Sequence, residues 1–273
     1  RPETGALRDE ASAGAMSVQL HAPRHWRQRE RGHARIFARD LALDGPSWRD
    51  LVGEGLAALR EMRRAGQRIH LGPVPFGDGH PVIVLPAFLC SDHMSRGLRE
   101  WLKALGYAVE GWGPRVNIGP TASAVASVDT ILKRCTETQG CKASLVGYSL
   151  GGVLARALAS AHPDRVRRVV TVCSPFRLPT ASPLEPVYRA LAPLHNGEHL
   201  MLERLTAPPP VPTTAIYSPR DGVVAWRSCV DAAGPDRENI AVDNPHTTML
   251  ANPRTLRIIA ERLAVPESMT ESA

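Results

Sequence analysis

Hydrophobic positions follow two different spacings along the chain from residue 48 onwards. Some segments repeat apolar residues every three or four positions, which predicts amphipathic helices. They span residues 48–62, 92–105, 121–138, 150–161 and 253–263. Between them lie short apolar runs typical of buried strands, at residues 81–86, 107–112, 143–147, 168–173, 213–218 and 238–242. This alternation predicts an α/β fold with a mostly parallel central sheet of about six strands and helices on both faces.

Two stretches depart from the alternation. Residues 1–47 show no sustained period and predict an irregular N-terminal arm, of which residues 1–15 are interpreted as a vector-derived or upstream leader. Residues 177–210 separate two strands by more than one crossover helix needs, and they contain two short helical stretches. We interpret them as a short helical cap inserted into a domain that spans residues 48–273, with an ordinary packed crossover as the alternative.

The composition is that of a globular protein. The chain has 273 residues, of which 43% are hydrophobic and 22% charged, and this balance excludes a disordered chain. Its formal net charge is +6, with 33 Lys and Arg residues against 27 Asp and Glu residues. Because the basic residues are scattered among carboxylates and are densest in residues 24–39, we expect a solvated surface and no nucleic-acid partner.

Cysteine usage and hydropathy bear on the compartment. No apolar run is long enough to cross a membrane, and residues 1–15 lack the pattern of a secretory signal. The five cysteines are an odd number without metal-ligand spacing, which predicts reduced thiols, although Cys135 and Cys141 are close enough in sequence to pair. These features predict a cytoplasmic protein, with a secreted mature form as the alternative.

The strongest chemical signal is the segment Gly-Tyr-Ser-Leu-Gly at residues 147–151. It directly follows the apolar run 143–146 and directly precedes a helical pattern, which is the context of a nucleophile elbow. The turn is tight, so the residues two before and two after Ser149 must be small. The helix amino end adds partial positive charge and free amides, which suits a developing oxyanion. The sequence therefore predicts Ser149 as a nucleophile.

A serine near neutral pH needs a base and an acid that orients the base. In this type of elbow they follow in the order acid, then histidine. His246 is the histidine beyond the last predicted strand and is the expected base. Asp221, just after a strand end and before a glycine, is the expected acid, with Asp243 as the alternative. Asp231 and Asp236 are interpreted as surface turn residues.

The oxyanion of a serine-catalysed reaction needs two backbone donors. The amide of Leu150 is the first, and the loop after the first interior strand, residues 86–89, is the expected source of the second. Phe88 would donate its amide there while its ring lines the pocket. An apolar strand end without such a role is the alternative interpretation.

These residues resemble the alpha/beta-hydrolase superfamily, and within it the bacterial lipase and esterase branch, over residues 81–263. Members commonly end the strand before the oxyanion loop in His-Gly or Pro-Gly and a bulky apolar residue. Residues 86–88 resemble this pattern, with Ala87 in place of the glycine. Residues 171–176 resemble the strand end that carries a Gly-Ser-Pro turn, whereas residues 244–246 depart from the more usual Gly-Ser-His context.

The resemblance implies an alpha/beta-hydrolase fold and hydrolysis of a carboxylic ester through an acyl-enzyme on Ser149. It implies no metal, no organic cofactor and a small-molecule ester as the partner. Apolar residues near the predicted mouth favour an apolar acyl chain or an aromatic ester, although such residues more often pack in cores. The expected substrate-binding residues are Leu89, Tyr148, Trp226 and Met249.

Several other functions share this fold. A thioesterase, an amidase and an acyltransferase are alternatives to an esterase or lipase, and a non-catalytic binding protein is a further one. Dehalogenases and epoxide hydrolases of this fold resemble a family with Asp at the elbow. Because this chain has Ser149 there, these two functions are less favoured. The acyl-chain length, the natural substrate and the oligomeric state stay open.

Overall fold

The computed structural model describes residues 45–64, 72–113, 116–177, 182–197, 204 and 208–267. In this part of the chain six strands form one parallel sheet in the order β2-β1-β3-β4-β5-β6. They are β1 (Pro81–Leu85), β2 (Ala108–Glu110), β3 (Ala143–Tyr148), β4 (Val166–Val172), β5 (Thr213–Tyr217) and β6 (Arg237–Ala241). The predicted α/β class and six-stranded parallel sheet are confirmed.

Helices cover both faces of the sheet, as predicted. The helices are α1 (Trp48–Arg64), α2 (Arg96–Ala104), α3 (Ala122–Gln139), α4 (Leu150–Ala161), α5 (Glu185–Leu191) and α6 (Pro253–Leu263). Helices α2 and α6 pack with one set of alternate strand residues, and α3 and α4 pack with the other set. In β1, for example, Val82 and Val84 face the first layer while Ile83 and Leu85 face the second. A strand buried on both faces must be apolar throughout, which explains the continuous hydrophobic runs.

Local signals explain where some helices begin and end. Helix α3 begins after Thr121, whose hydroxyl accepts the amide of Ala124, and ends at Gly140 with φ 66°. Helix α2 begins at Arg96, four residues later than predicted, because residues 92–95 form a turn. In that turn Asp92 accepts the backbone amide of Trp112 at 3.1 Å.

Most of the predicted arm, residues 1–44, lies outside the described residues. So does part of the predicted cap, at residues 178–181, 198–203 and 205–207. Within residues 182–197, helix α5 is followed by a 3₁₀ turn, Ala192–Leu194. The ring of Tyr188 on α5 lies 5.5 Å from the ring of Phe88, measured between centroids. This part of the chain therefore packs against the loop after β1.

Two predictions on composition are also answered by the structure. All five cysteines are free thiols, so Cys135 and Cys141 do not form a disulfide here. None of the described helices has both the length and the apolar character needed to cross a bilayer.

The loops after β1, β3, β5 and β6 leave the same edge of the parallel sheet, which is where α/β folds bind ligands.

Candidate active site

Ser149 lies in a tight turn between β3 and α4, as the sequence predicts. Its backbone has φ 51° and ψ −123°, which is a strained conformation for a residue with a side chain. Close packing demands the neighbouring glycines: a Cβ on Gly147 would collide with Gly152, and a Cβ on Gly151 would collide with the carbonyl of Leu85. The turn therefore holds the serine at the carboxyl edge of the sheet.

His246 and Asp221 form a buried pair at the same edge. His246 Nδ1 lies 2.7 Å from Asp221 Oδ2. Because a carboxylate can only accept, the shared proton belongs to Nδ1, and the neutral imidazole keeps Nε2 as an acceptor. Burial lowers the pKa of His246, but the charge and hydrogen bond of Asp221, together with the charge of Glu54, raise it above its ordinary value. The structure thus joins the predicted base to the predicted acid.

The loop after β5 holds Asp221 in a defined orientation. Its other carboxylate oxygen, Oδ1, accepts the amides of Val223 at 2.9 Å and of Val224 at 2.8 Å. The alternative acid, Asp243, is exposed and lies 3.7 Å from Arg220. The contact to the imidazole is therefore made by Asp221.

Tyr148 links the serine turn to the histidine loop. Its hydroxyl donates to the carbonyl of His246 at 2.7 Å, and the two rings lie 5.2 Å apart between centroids. In the described part of the chain, no hydrogen bond joins Ser149 directly to His246. Catalytic hydrogen bonds in sites without substrate are often long and tighten on binding. The turn and the histidine loop are thus neighbours, and we expect the hydrogen bond between Ser149 and His246 to form when substrate binds.

Phe88 and Leu150, the predicted oxyanion donors, follow β1 and β3 at this edge. Among the described residues neither amide donates to a protein acceptor, whereas the next amide along, that of Leu89, donates to the carbonyl of Asn117 at 2.7 Å. Asn117 is fully buried, and its Nδ2 donates to the carbonyl of Pro86 at 2.8 Å. Asn117 therefore braces the loop at both ends, a role that the sequence analysis missed.

The predicted substrate-binding residues separate into two groups. Leu89 is 46% exposed in the loop after β1, and Trp226 is half-buried and stacks on Tyr217 at 5.4 Å. Tyr148 and Met249 are instead buried, Tyr148 with its hydroxyl taken by His246. Both residues also belong to the hydrophobic core, and a substrate contact at any of the four positions stays a prediction.

Cys173, at the end of β4, completes a cluster with Asp221 and His246. One potential metal-ligand atom from each residue lies within 4.8 Å of the others. Burial, followed by the charge of Asp221, raises the pKa of the Cys173 thiol well above its ordinary value. The thiol therefore stays protonated near neutral pH and adds no charge beside His246.

A second grouping of Ser, His and Asp lies at the opposite edge of the sheet. His80 Nε2 lies 2.8 Å from Ser144 Oγ, and His80 Nδ1 contacts Asp78, which also accepts from Arg167 at 2.7 Å. Ser144 is fully buried inside β3 and has no access to a substrate. Burial lowers the pKa of His80. This grouping therefore satisfies polar groups at the sheet edge, and its serine is not placed for attack.

Two further buried charges were not found from the sequence. Glu54 on α1 is 3% exposed and accepts hydrogen bonds from the loops that carry Asp221 and His246. Asp231, interpreted as a surface turn residue, is instead buried and pairs with Arg156 on α4 at 2.6 Å. The period of a helix shows which face is buried, but not which distant loop an inward carboxylate meets.

Comparison with known proteins identifies the fold. A sequence model described as the alpha/beta hydrolase fold matches residues 93–199. A search of curated proteins finds no significant match.

Several solved structures with the same fold are those of lipolytic enzymes. The chain is similar to a metagenome-derived lipolytic enzyme from a study of LipS and LipT, with TM-score 0.52 and 20% identity, over 70% of this chain and 94% of the other. It is also similar to the Bacillus licheniformis lipase BlEst2, with TM-score 0.51 and 15% identity, over 71% and 96% of the two chains. A monoacylglycerol lipase from Paleococcus ferrophilus matches with TM-score 0.50 and 16% identity, over 69% and 96%.

At such low identities these structures establish the fold and not the substrate. The matched family, the parallel sheet order and the strained serine turn between β3 and α4 agree with one another. The chain has the alpha/beta-hydrolase fold.

Proposed function

We propose that the chain is a serine hydrolase that cleaves carboxylic esters through an acyl-enzyme. Ser149 is the nucleophile, His246 the general base and Asp221 the acid that orients the base. The amides of Phe88 and Leu150 form the oxyanion hole. No step requires a metal or an organic cofactor, since the residues themselves supply the nucleophile, the proton acceptor and the charge stabilisation.

The reaction proceeds in two half-reactions that mirror each other. Ser149 Oγ attacks the ester carbonyl while His246 Nε2 takes its proton, and the carbonyl oxygen becomes an oxyanion held by the two amides. The tetrahedral intermediate collapses, the bond to the alcohol oxygen breaks, and His246 returns its proton to the leaving alcohol. Water then repeats these steps on the acyl-enzyme and releases the carboxylic acid and free Ser149.

The observation that carries this proposal is the buried pair of His246 and Asp221 at 2.7 Å, in a loop tied through Tyr148 to the strained turn at Ser149. Strained backbone conformations cluster at active sites, so the strain at Ser149 favours a catalytic role for this residue. The Ser149 side chain does not cap α4, and its hydroxyl makes no other hydrogen bond within the described chain. The similarity to a lipolytic enzyme and to two lipases favours the same reaction type.

The exposed surroundings favour an apolar acyl group. Leu89 on the loop after β1, Met94 in the following turn and Leu194 after α5 are exposed large hydrophobic side chains. The ring of Phe88 meets Tyr188 at 5.5 Å, so the loop that supplies the oxyanion donor also has an aromatic wall. Apolar and aromatic side chains predominate in the lining of small-molecule sites. We therefore propose an apolar acyl or aromatic ester as the substrate class.

Release of p-nitrophenol from acyl esters tests the reaction. Purified wild-type protein should hydrolyse a series that runs from the acetate to the palmitate, and Ser149→Ala should lower kcat by about 10⁴-fold or more. Ser144→Ala is the matched control, because Ser144 also contacts a histidine but is fully buried at the other edge. Equal activity of wild type and Ser149→Ala would refute the proposal, as would loss of activity in Ser144→Ala alone.

Related reactions on the same fold differ in the bond that is broken or in the acceptor. Parallel assays of a thioester and an anilide with the same acyl group separate an esterase from a thioesterase or amidase. Product analysis in the presence of a primary alcohol shows whether the acyl group goes to water or to the alcohol. We expect the oxygen ester and water to be preferred. An inactive protein that still binds an apolar ester would indicate a binding protein instead.

A further inference from the structure

Helix α1 brings a buried carboxylate to the loops of the proposed site. Glu54 is 3% exposed although it lies on a helix at the surface of the fold. Its Oε1 accepts the backbone amides of Gly222 at 2.8 Å and of His246 at 2.7 Å. Its Oε2 accepts the amide and the hydroxyl of Thr247, both at 2.9 Å. Four donors thus converge on one side chain, which is the pattern of a satisfied buried charge.

These donors come from two separate loops. Gly222 directly follows Asp221 in the loop after β5, and His246 and Thr247 belong to the loop after β6. One carboxylate oxygen therefore joins the residue next to the acid to the backbone of the base. The distance of 2.7 Å between Asp221 and the imidazole depends on how these loops lie relative to each other.

The packing of α1 against the acid loop is close enough to exclude a side chain. A Cβ on Gly222 would lie 2.8 Å from both the Asp50 carbonyl and Glu54 Cγ. The sequence suggests a glycine that permits a turn, but the structure shows one that permits the helix to approach. Glu54 therefore reaches the loop because Gly222 leaves room for it.

Four polar side chains surround His246, each from a different element. Asp221 approaches from the loop after β5, Glu54 from α1, Cys173 from the end of β4 and Tyr148 from the end of β3. Burial raises the pKa of the Cys173 thiol and of the Tyr148 phenol well above their ordinary values, so both are neutral near pH 7. The negative charges that act on the imidazole are those of Asp221, 2.7 Å from Nδ1, and of Glu54, whose Oε1 lies 2.7 Å from the backbone nitrogen of His246.

We propose that Glu54 is a positioning residue of this site, which holds the acid loop and the base loop together and adds a second negative charge beside the imidazole. This proposal rests on the proposed hydrolase function. Glu54 touches neither the reacting atoms nor Ser149. It acts through His246, whose protonated form must be stabilised when Ser149 gives up its proton.

The substitution Glu54→Gln removes the charge and turns one acceptor into a donor that faces the Thr247 amide. We expect kcat for a short p-nitrophenyl ester to fall by about 10- to 100-fold, because small misplacements of reacting groups cost this much. KM should stay near wild type. The acid limb of kcat/KM should move to lower pH, since the remaining charge beside His246 is that of Asp221 alone.

Two further variants separate charge from position. Glu54→Asp keeps the charge but shortens the reach by one methylene, so we expect a lower kcat with the acid limb near its wild-type pH. Asp50→Asn removes an exposed carboxylate of the same helix, which within the described residues accepts hydrogen bonds from Ser47, and it should change neither quantity. A merely structural role for Glu54 predicts a lower midpoint of thermal unfolding with kcat and the acid limb unchanged, and that result would overturn the proposal.

An NMR titration of the His246 imidazole decides the charge effect without any substrate. In Glu54→Gln, studied on the full chain, the pKa of His246 should lie below its wild-type value. An unchanged pKa in a folded Glu54→Gln variant would overturn the electrostatic part of the proposal. If wild type and Ser149→Ala were equally inactive, the proposed function would fail while this titration still reported on Glu54. If Glu54→Gln did not fold, Glu54→Asp would carry the test of position through its kcat.

Discussion

Replacing Asp221 with Asn changes one atom that decides where the proton on His246 sits. Asp221 Oδ1 accepts the amides of Val223 and Val224 at 2.9 and 2.8 Å, and the oxygen of an asparagine preserves both bonds. Its amide nitrogen then takes the place of Oδ2 and donates to His246 Nδ1. The imidazole is held with its proton on Nε2, where it can no longer accept the proton of Ser149.

The size of the effect follows from this geometry. In a Ser-His-Asp protease the same exchange keeps the structure but lowers kcat by about 10⁴-fold, which is about 5.5 kcal/mol of transition-state stabilisation. Solvent cannot relieve the wrong tautomer here, because the side chains of His246 and Asp221 are only 5% and 0% exposed. We therefore expect kcat for p-nitrophenyl butyrate to fall by about 10⁴-fold, with the midpoint of thermal unfolding near wild type.

The control is the neighbouring carboxylate Asp243, which lies three residues before His246 but is exposed beside Arg220. Asp243→Asn should retain kcat within about twofold, since exposed ion pairs contribute little. Both variants are measured with the same ester over a range of pH values, so that a shifted optimum is not mistaken for a lost activity. Activity retained in Asp221→Asn and lost in Asp243→Asn would show that the acid is misassigned and refute the tautomer argument.

Three further outcomes follow from other parts of the site. Burial lowers the pKa of His246, but the charges of Asp221 and Glu54 raise it overall, above its ordinary value. Because the base must be neutral to accept a proton, the acid limb of kcat/KM should lie above a pH of about 6.5. Asn117→Ala frees the carbonyl of Pro86 and should lower kcat for the same ester by roughly tenfold or more, an effect that an unchanged kcat in the folded variant would exclude. Asp231→Ala leaves Arg156 buried without its carboxylate and should lower the free energy of unfolding by about 3–5 kcal/mol, measured by urea denaturation; a loss below about 1 kcal/mol would mean that water reaches the pair.

The sheet and the serine turn could be predicted from the sequence because their signals are local. A buried parallel strand is an apolar run, and the turn at Ser149 needs small residues at fixed offsets, all within about ten positions. Chain order then indicated His246 and Asp221, because loops after parallel strands meet at one edge. The proximity of these two side chains is a consequence of the sheet order, which the periodicity does not contain.

What the sequence did not reveal has a common physical cause. Asp231 was expected at a surface turn, but it is buried because it pairs with Arg156 on a distant helix. Glu54 was missed because its partners Gly222 and His246 lie 168 and 192 positions further along the chain. Contacts at such separations depend on the assembled fold, so a helical pattern on its own does not reveal them.

The distribution of backbone strain distinguishes the two Ser-His-Asp groupings. Within the described chain the non-glycine residues with positive φ are Leu89, Ser149 and Cys173, at 58°, 51° and 48°. They follow β1, β3 and β4, so all three stand at the carboxyl edge. Each such conformation costs about 1–3 kcal/mol and persists only where the surroundings enforce it. The opposite edge, where Ser144 meets a histidine next to an irregularity in the pairing of β3 with β4, carries none among the described residues. Strain confined to the edge of the elbow is expected if that edge performs chemistry and the other edge only satisfies buried polar groups.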